Sequence, residues 1–392
     1  MQLLCTFVCH CASYNLLLNL TTMLKLKSFL LLIITLSFVV LSACRDKEKE
    51  DVEPKIEGQT PYSIEIPNGF PTNVNIPEDN PMTVEGVDLG RHLYYDGRLS
   101  GRESEGKPMS CSSCHLQQFS FENGVGKGTG ADGIQTYNVM LPHVNLLWNP
   151  GTYLWNGSVP SIEADVLGTI TAPDEFGSTY EKVEKAIRAV PMYPPMFKAA
   201  FGTEEVNVDR IAKAIAQFMR TQISSDSKFD RVLRGEDNFT NEEQRGLVLF
   251  TTEEGADCFH CHGAPGNPLM TTNLFYNNAK DVEADFDLDH DRYSVTGDSR
   301  DKGAYKATTL RNIELTGPYM HDGRYTTLDE VIDFYSEGLV YSNYVHPLMH
   351  KVFPPYGHGA NLNPIQKADL KAFLLTLTDT VFINNPDLAS PF

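Results

Sequence analysis

Cys111-Ser112-Ser113-Cys114-His115 has the pattern C-x-x-C-H, and the same pattern recurs at Cys258-Phe259-His260-Cys261-His262. This pattern is typical of covalent haem attachment. Two thiols one helical turn apart can bond the two vinyl groups of one porphyrin, and the next histidine then binds the iron. The sequence therefore predicts two covalently bound haem c groups. Their attachment residues are Cys111, Cys114 and His115 for the first haem and Cys258, Cys261 and His262 for the second.

Two other uses of these four cysteines remain open. The two C-x-x-C pairs could supply four thiolates to a structural zinc ion, but both trailing histidines would then have no role. The pairs could also form redox-active disulfides, although no thioredoxin-like βαβ pattern surrounds them. The haem interpretation is the one that uses the thiols and the histidines together.

The composition limits the partners of the chain. Its 392 residues leave room for two domains and an export segment, and the hydrophobic share of 41% is ordinary for a globular protein. The net charge is −19. We expect such a surface to repel nucleic acid and anionic lipid. It can steer a basic redox partner at low salt, and solubility alone is the alternative role of the charge.

The N-terminal region predicts export. Met23–Lys27 is a short basic start, residues 28–40 are apolar, and Leu41-Ser42-Ala43-Cys44 resembles a bacterial lipobox. The apolar run is short for a membrane-spanning helix and ends at small residues, which is typical of a signal peptide. We expect residues 1–44 to be an export signal whose true start is Met23. The mature chain would then be periplasmic and attached to a bacterial membrane by lipid on Cys44, and an uncleaved anchor is the alternative.

The remaining chain divides into a tether and two domains. Residues 45–80 are charged and then rich in Pro, Asn and Thr, as expected of a linker. The predicted domains are residues 81–235, with helical patterns at 179–189 and 208–233, and residues 236–385. The second opens at a capping box, Thr240–Glu243, and its last helix begins at Asn363-Pro364. We predict a mainly α fold of two cytochrome c-like domains, each holding one covalent haem, with long loops.

With two haem motifs at this separation, the chain resembles the bacterial di-haem cytochrome c peroxidase and MauG family over roughly residues 85–380. Tyr153–Ser158 is similar to the family pattern F-F-W-D-G-R, residues 161–163 to S-L-E, and Pro173–Gly177 to P-x-E-M-G. The resemblance implies that Trp155 lies between the haems and that Glu175 is the acid–base group at the peroxide-binding haem. A carboxyl whose pKa is raised by burial can move a proton between the two oxygens of a peroxide.

A second matching segment follows the second haem motif. Residues 309–312 match T-L-R-N, and residues 316–323 match T-x-P-Y-M-H-D-G. The resemblance implies that Asn138, Thr316 and Pro318 supply oxygen ligands to a calcium ion between the domains. The acidic run 285–291 lacks the glycine and the terminal glutamate of an EF-hand, so we expect a solvated loop there.

The distal iron ligands depart from the peroxidase branch of the family. That branch has a methionine fourteen residues after the H-D-G histidine, where this chain has Tyr335. MauG has a tyrosine ligand, so the resemblance implies Tyr335 on the second haem, with Met320 as the rival. A phenolate stabilises ferric and higher-valent iron. No histidine occurs between Leu116 and Pro142, so the first iron is expected to be open to peroxide, with His143 as the nearby candidate to close it.

The resemblance implies a division of labour. The domain 81–235 would bind and cleave hydrogen peroxide, and the domain 236–385 would relay electrons through Trp155. The reaction would reduce peroxide to water with electrons from a small periplasmic donor. A MauG-like oxidase acting on a protein or small substrate is the alternative that Tyr335 favours, and a non-enzymatic electron-transfer cytochrome is a third. Tyr137 and Ser158 stand where the family has arginines, and the three histidines at 346, 350 and 358 are expected on surface loops.

Overall fold

Helices dominate the computed structural model, which describes residues 58–392, and this confirms the mainly α prediction. The predicted signal, the lipobox and the start of the tether lie outside the described residues. Two small antiparallel sheets occur, β1 (Lys127–Thr129) with β2 (Gln135–Val139) and β3 (Phe275–Tyr276) with β4 (Tyr305–Lys306). The α-helices are α1 (Val84–Tyr95), α2 (Ile162–Thr171), α3 (Tyr180–Arg188), α4 (Tyr193–Phe201), α5 (Val208–Arg220), α6 (Lys228–Leu233), α7 (Asn241–Thr251), α8 (Phe259–His262), α9 (Tyr293–Thr296), α10 (Leu328–Glu337), α11 (Pro364–Leu375) and α12 (Thr380–Ile383).

The first core is built where α1 crosses α5. Thr83 caps α1 by accepting a hydrogen bond from the Gly86 N–H, and Leu89 and Leu93 are fully buried. On α5 the predicted apolar stripe is buried, as expected from its helical spacing. The two backbones approach closely because α1 has Gly90 at the crossing, where a Cβ would overlap the carbonyl oxygen of Ala214.

The second core repeats this arrangement with α7 and α11. The predicted capping box is present at Thr240, and Asn363 caps α11 as predicted. Gly246 stands at the crossing, where a Cβ would overlap the carbonyl oxygen of Asp369 and lie 2.7 Å from the Phe373 Cβ. In each case an early helix crosses a late one through a glycine, with a C-x-x-C-H motif between them in the chain.

One predicted helix is broken in the structure. The pattern over 208–233 predicted a continuous helix, but α5 ends at Arg220 and α6 begins at Lys228. The chain between them leaves the helical path where several of its N–H groups have side-chain acceptors. Asn145 Oδ1 accepts from the Ser224 N–H at 2.9 Å, and one oxygen of Asp379 accepts from the N–H groups of Ser225 and Asp226. Tertiary hydrogen bonds thus replace the helical ladder.

The T-L-R-N segment lies beside this break. Arg311 is fully buried and forms an ion pair with Asp230, while Asn312 Nδ2 donates to Ser120 Oγ at 2.9 Å. Asn312 Oδ1 accepts from the Asp379 N–H at 2.7 Å. Removing one partner of a buried ion pair costs about 3–5 kcal/mol. This motif therefore joins the two halves of the described chain, which forms one compact unit.

The C-terminal tail returns to the first core. Phe382 and Leu388 are buried there, and Phe229 packs in the second core. Arg91 Nε donates to the Ala389 carbonyl at 2.8 Å, and Gln117 Nε2 donates to the Asn385 carbonyl at 2.8 Å. The tail thereby covers α1 and the loop that follows the first C-x-x-C-H motif. Within residues 58–392 no helix is long and apolar enough to span a bilayer.

Candidate haem sites

The first C-x-x-C-H motif opens onto a cavity, here called the first cavity. Cys111, Cys114 and His115 line it together with Glu175. A short 3-10 turn begins at Cys111 and is capped by Ser110 and Ser113. His115 Nδ1 lies 2.7 Å from the Phe121 carbonyl oxygen, which can only accept, so this nitrogen carries the proton and Nε2 keeps its lone pair. Burial lowers the pKa of His115 to about 4, which holds the imidazole in the neutral form that binds metal.

The second motif has the same design. Cys258, Cys261 and His262 lie at and within α8 and line a larger, mostly apolar cavity, here called the second cavity. His262 Nδ1 donates to the Thr308 carbonyl at 3.1 Å, and burial lowers the pKa of the imidazole to about 4. Two thiols and one neutral imidazole on the wall of an apolar cavity fit a covalently attached porphyrin.

The alternatives for the cysteines fit the geometry less well. All four thiols are free, and each pair lines its own cavity. Among residues 58–392 no group of three or more Cys, His, Asp or Glu side chains is arranged to hold a bare metal ion. A zinc ion shared by both C-x-x-C pairs would need all four thiols at one point.

Three carboxyl residues, Asp165, Asp174 and Glu175, line the first cavity. Burial raises the pKa of Glu175, the charge of Asp174 acts in the same direction, and the Thr169 hydroxyl opposes both. Asp165, which the sequence reasoning missed, lines the same cavity. Burial and the neighbouring charge of Glu175 raise its pKa to about 7. The available signal was position, because Asp165 lies on the buried face of α2 beside Ile162 and Val166.

Trp155 lies on the wall of the second cavity and of a neighbouring cavity. The neighbouring cavity, here called the bridging cavity, is also lined by His115 and Glu175. The indole N–H donates to the Val139 carbonyl at 2.8 Å, which fixes the ring. The ring edge meets His321 with centroids 6.2 Å apart. The structure thus brings Trp155 next to both predicted haem positions.

Both candidate distal ligands of the second haem face the second cavity. Asn278 Nδ2 donates to the Tyr335 hydroxyl at 3.1 Å and lies 3.7 Å from the Met320 sulfur. Burial raises the pKa of Tyr335. Met349 lines the same cavity and was not considered from the sequence. Its segment has no family pattern, so only the packing identifies it.

His143 stands beside His115 instead of opposite it. The two rings stack with centroids 3.6 Å apart and planes 19° apart. The hydroxyl of Tyr94 is hydrogen-bonded to His143 Nδ1 at 3.1 Å. A ligand that closes the iron has to approach from the face opposite the proximal histidine, and this stacked position does not provide that.

The residues predicted to bind calcium lie partly together. Asn138 Oδ1 is buried and has no hydrogen-bond partner within the described chain. The next residue, Val139, donates its N–H to the His321 carbonyl at 2.9 Å, which joins this strand to the segment containing Thr316 and Pro318. A buried amide oxygen without a hydrogen-bond partner is the kind of ligand that calcium binds.

The acidic run 285–291 differs from its prediction at one end. Asp291 is fully buried and accepts a hydrogen bond from the Gly303 N–H at 2.6 Å, so the solvated-loop prediction is wrong for this residue. The hydroxyl of the half-exposed Tyr137 donates a hydrogen bond to the Asp287 carboxylate. The Tyr137 ring stacks on His290 with centroids 3.5 Å apart. Of the three late histidines, His358 is exposed and the other two are half-buried. Ser158 lies on the rim of the bridging cavity.

The comparisons with known proteins agree with one another. A family model described as di-haem cytochrome c peroxidase matches residues 84–238. The methylamine utilization protein MauG of Methylorubrum extorquens is 32% identical over 309 residues, covering 78% of this chain and 82% of the relative. The cytochrome c551 peroxidase of Nitrosomonas europaea is 34% identical over 263 residues, covering 64% of this chain and 73% of the relative.

Solved structures give the same result. A MauG-like protein associated with microbial copper homeostasis superposes with a TM-score of 0.74 at 33% identity, over 84% of this chain and 99% of that one. The di-haem peroxidase BthA of Burkholderia thailandensis shares the fold, with a TM-score of 0.64 at 18% identity over 79% and 91% of the two chains.

Proposed function

Because this chain belongs to the di-haem cytochrome c peroxidase and MauG family, a family of haem oxidoreductases, we propose that it reduces hydrogen peroxide to water. Electrons would come from a small periplasmic donor. The observation that carries the proposal is the first cavity, where the neutral imidazole of His115 and the carboxyl of Glu175 face the same space. The relatives carry both peroxidase and MauG names, so the reaction and the donor are the proposed part.

The motif residues would hold the cofactors. Cys111 and Cys114 would attach the first haem c and His115 would bind its iron, while the second motif would do the same in the second cavity. When bound, the haems supply the iron that binds peroxide and the electrons that cleave it. The chain binds the porphyrins, excludes water with an apolar cavity and keeps both histidines neutral.

Glu175 would act as the acid–base group. Cleavage of a peroxide to water requires a proton to leave the inner oxygen and reach the outer one. A carboxyl with a raised pKa holds a proton more readily and can still return it, and burial raises the pKa of Glu175. Asp165 shares the cavity and would hold a second proton close by.

Electron supply would pass through Trp155 from the domain 236–385 to the domain 81–235. The indole is fixed by its hydrogen bond to the Val139 carbonyl and lines both the bridging and the second cavity. A calcium ion held by Asn138, Thr316 and Pro318 would stabilise the join between the domains, with the unpartnered Asn138 Oδ1 in its support. Residues 1–44 would deliver the protein to the periplasm and leave it lipid-anchored.

A MauG-like oxidase acting on a protein or small substrate is the second candidate. Tyr335 supports it, because a phenolate ligand stabilises oxidised iron and Asn278 is placed to donate to the phenolic oxygen. Such an enzyme would store oxidising equivalents instead of drawing electrons from a donor cytochrome.

Mass and rapid-mixing measurements test these proposals. Purified protein should exceed the mass of the bare chain by two haem groups, and the fully ferric form should change its absorption spectrum when mixed with peroxide. Sustained turnover with a reduced small cytochrome supports the peroxidase. Reaction with peroxide without turnover of any donor cytochrome refutes it in favour of the oxidase, and no reaction with peroxide leaves only electron transfer.

A further inference from the structure

Lys306 is a buried lysine without a partner. It ends strand β4, its backbone N–H donates to the Trp155 carbonyl at 2.8 Å, and the residue is only 7% exposed. Within residues 58–392 its ammonium group forms no ion pair and no hydrogen bond. Its nitrogen lies 5.8 Å from the centroid of the Phe275 ring. Nothing in the family motifs identified above assigns it a role.

The position of Lys306 is shared by both haem regions. It lines the second cavity together with His262, and it lines the bridging cavity together with His115 and Asp165. Asp165 acts on it through its charge without a hydrogen bond. Arg292 lies over the same Phe275 ring at 4.1 Å, but its guanidinium already donates to the Asn156 carbonyl at 2.8 Å.

An unpaired ammonium in this position needs an anion. Burying a charge without a partner costs several kcal/mol, and proteins avoid this cost by pairing the group or discharging it. Burial lowers the pKa of Lys306 to about 8, so the cation is still the major form at neutral pH. The walls around it are largely apolar, and a porphyrin that fills them brings carboxylates that themselves need a cation.

We propose that Lys306 binds a propionate carboxylate of a bound haem at the wall shared by the bridging and second cavities, and that its charge raises the reduction potential of that haem. The assignment rests on the proposed binding of two haems. Reduction adds a negative charge to the haem, and a nearby ammonium stabilises the reduced state. Lys306 is therefore a positioning residue, which acts on the iron through the carboxylate that it holds.

Redox titration of the full, haem-loaded protein tests this assignment. Lys306→Met should lower the ferric-to-ferrous equilibrium constant of one haem about tenfold, equivalent to about 59 mV for a one-electron couple. Lys306→Arg, which keeps the charge, should remain within threefold of the wild type. The matched control is Lys185→Met, which removes the same charge from an exposed position on α3 and should change neither potential.

Three outcomes overturn the assignment. The first is that Lys306→Met retains both haems and leaves both reduction potentials unchanged. The second is that Lys306→Arg shifts a potential as much as Lys306→Met does. The third is a wild-type potential that varies with added chloride or phosphate at constant ionic strength, because an exchangeable anion would then be the partner. Should Lys306→Met lose one haem by mass, retention of both haems in Lys306→Arg supports the assignment and loss in both variants overturns it.

The same samples separate this assignment from the proposed function. If Lys306→Met shifts a potential but the wild-type protein does not react with peroxide, the peroxidase proposal is refuted and the Lys306 assignment stands. If the wild-type protein turns over peroxide but Lys306→Met leaves both potentials unchanged, the Lys306 assignment is refuted and the peroxidase proposal stands.

Discussion

Replacing Glu175 with glutamine should slow the reaction with peroxide by about 10²–10⁴-fold, the usual contribution of a general acid–base group. This corresponds to about 2.7–5.4 kcal/mol in the activation barrier. Glutamine keeps the size of the side chain and its hydrogen-bonding capacity, but it cannot take and return a proton. All other residues that line the first cavity stay the same, so binding of the cofactor should be unchanged.

The measurement is the second-order rate constant of the ferric protein with peroxide, followed by rapid-mixing absorption. Because burial raises the pKa of Glu175, the wild-type rate should rise with pH through a value above the normal carboxyl range. The charge of Glu175 also raises the pKa of Asp165, so the two acids should titrate as a pair. The glutamine variant should lose this step in the pH profile.

Glu181→Gln is the matched control, because Glu181 is an exposed acid on the nearby helix α3. It should react at the wild-type rate. A Glu175→Gln variant that keeps both haems and reacts within threefold of the wild type would refute the reasoning. If Asp165→Asn then showed the large loss instead, the acid–base role would pass to Asp165.

Three further predictions concern the second site, the helix crossings and the buried acid. Tyr335→Met should abolish a phenolate-to-iron absorption band of the oxidised protein, whereas Met320→Leu should keep it; the opposite result would make Met320 the ligand. Gly246→Ala should destabilise the fold by about 1–3 kcal/mol in guanidinium unfolding, because its Cβ overlaps the backbone of α11. Gly168→Ala, with no atom within 4 Å of the new Cβ, should stabilise the fold by about 0.4–1 kcal/mol. Equal changes in unfolding free energy in the two glycine variants would contradict the close crossing of α7 and α11. The pKa of Asp165 is raised from 3.8 to about 7, so folding takes up a proton and the free energy of unfolding should fall as the pH rises from about 4 to 7. The upper bound of this fall in stability is roughly 4 kcal/mol at 1.36 kcal/mol per pKa unit. Asp165→Asn should remove the fall. A fall of the same size in the variant would show that other groups cause it.

Local patterns allowed several features to be predicted. A capping box predicted the start of α7, and the pair Asn363-Pro364 predicted the start of α11. The apolar stripe of α5 is buried as its spacing predicted. These signals are local because a helix start needs only the few residues that satisfy its first N–H groups. The C-x-x-C-H motifs likewise contain the predicted haem-attachment residues within five positions.

The features that were missed depend on contacts between distant parts of the chain. Asp165 faces Glu175 only because α2 and the loop after it close around one cavity. Lys306 becomes a buried cation only when β4 lies beside Trp155. The break after α5 needed Asp379, which is more than 150 residues away. No periodicity in a single segment carries such information, because it resides in the packing.

The return of the C-terminal tail to the first core has a consequence for biosynthesis. Phe382 and Leu388 are synthesised long after α1, yet they complete the apolar packing around it. The first core therefore stays unfinished until these two residues have been made, although its own C-x-x-C-H motif was made long before. The Phe392 ring also rests against His92 on α1. A chain that stops before Phe382 should therefore expose the surface of α1 to chaperones and proteases.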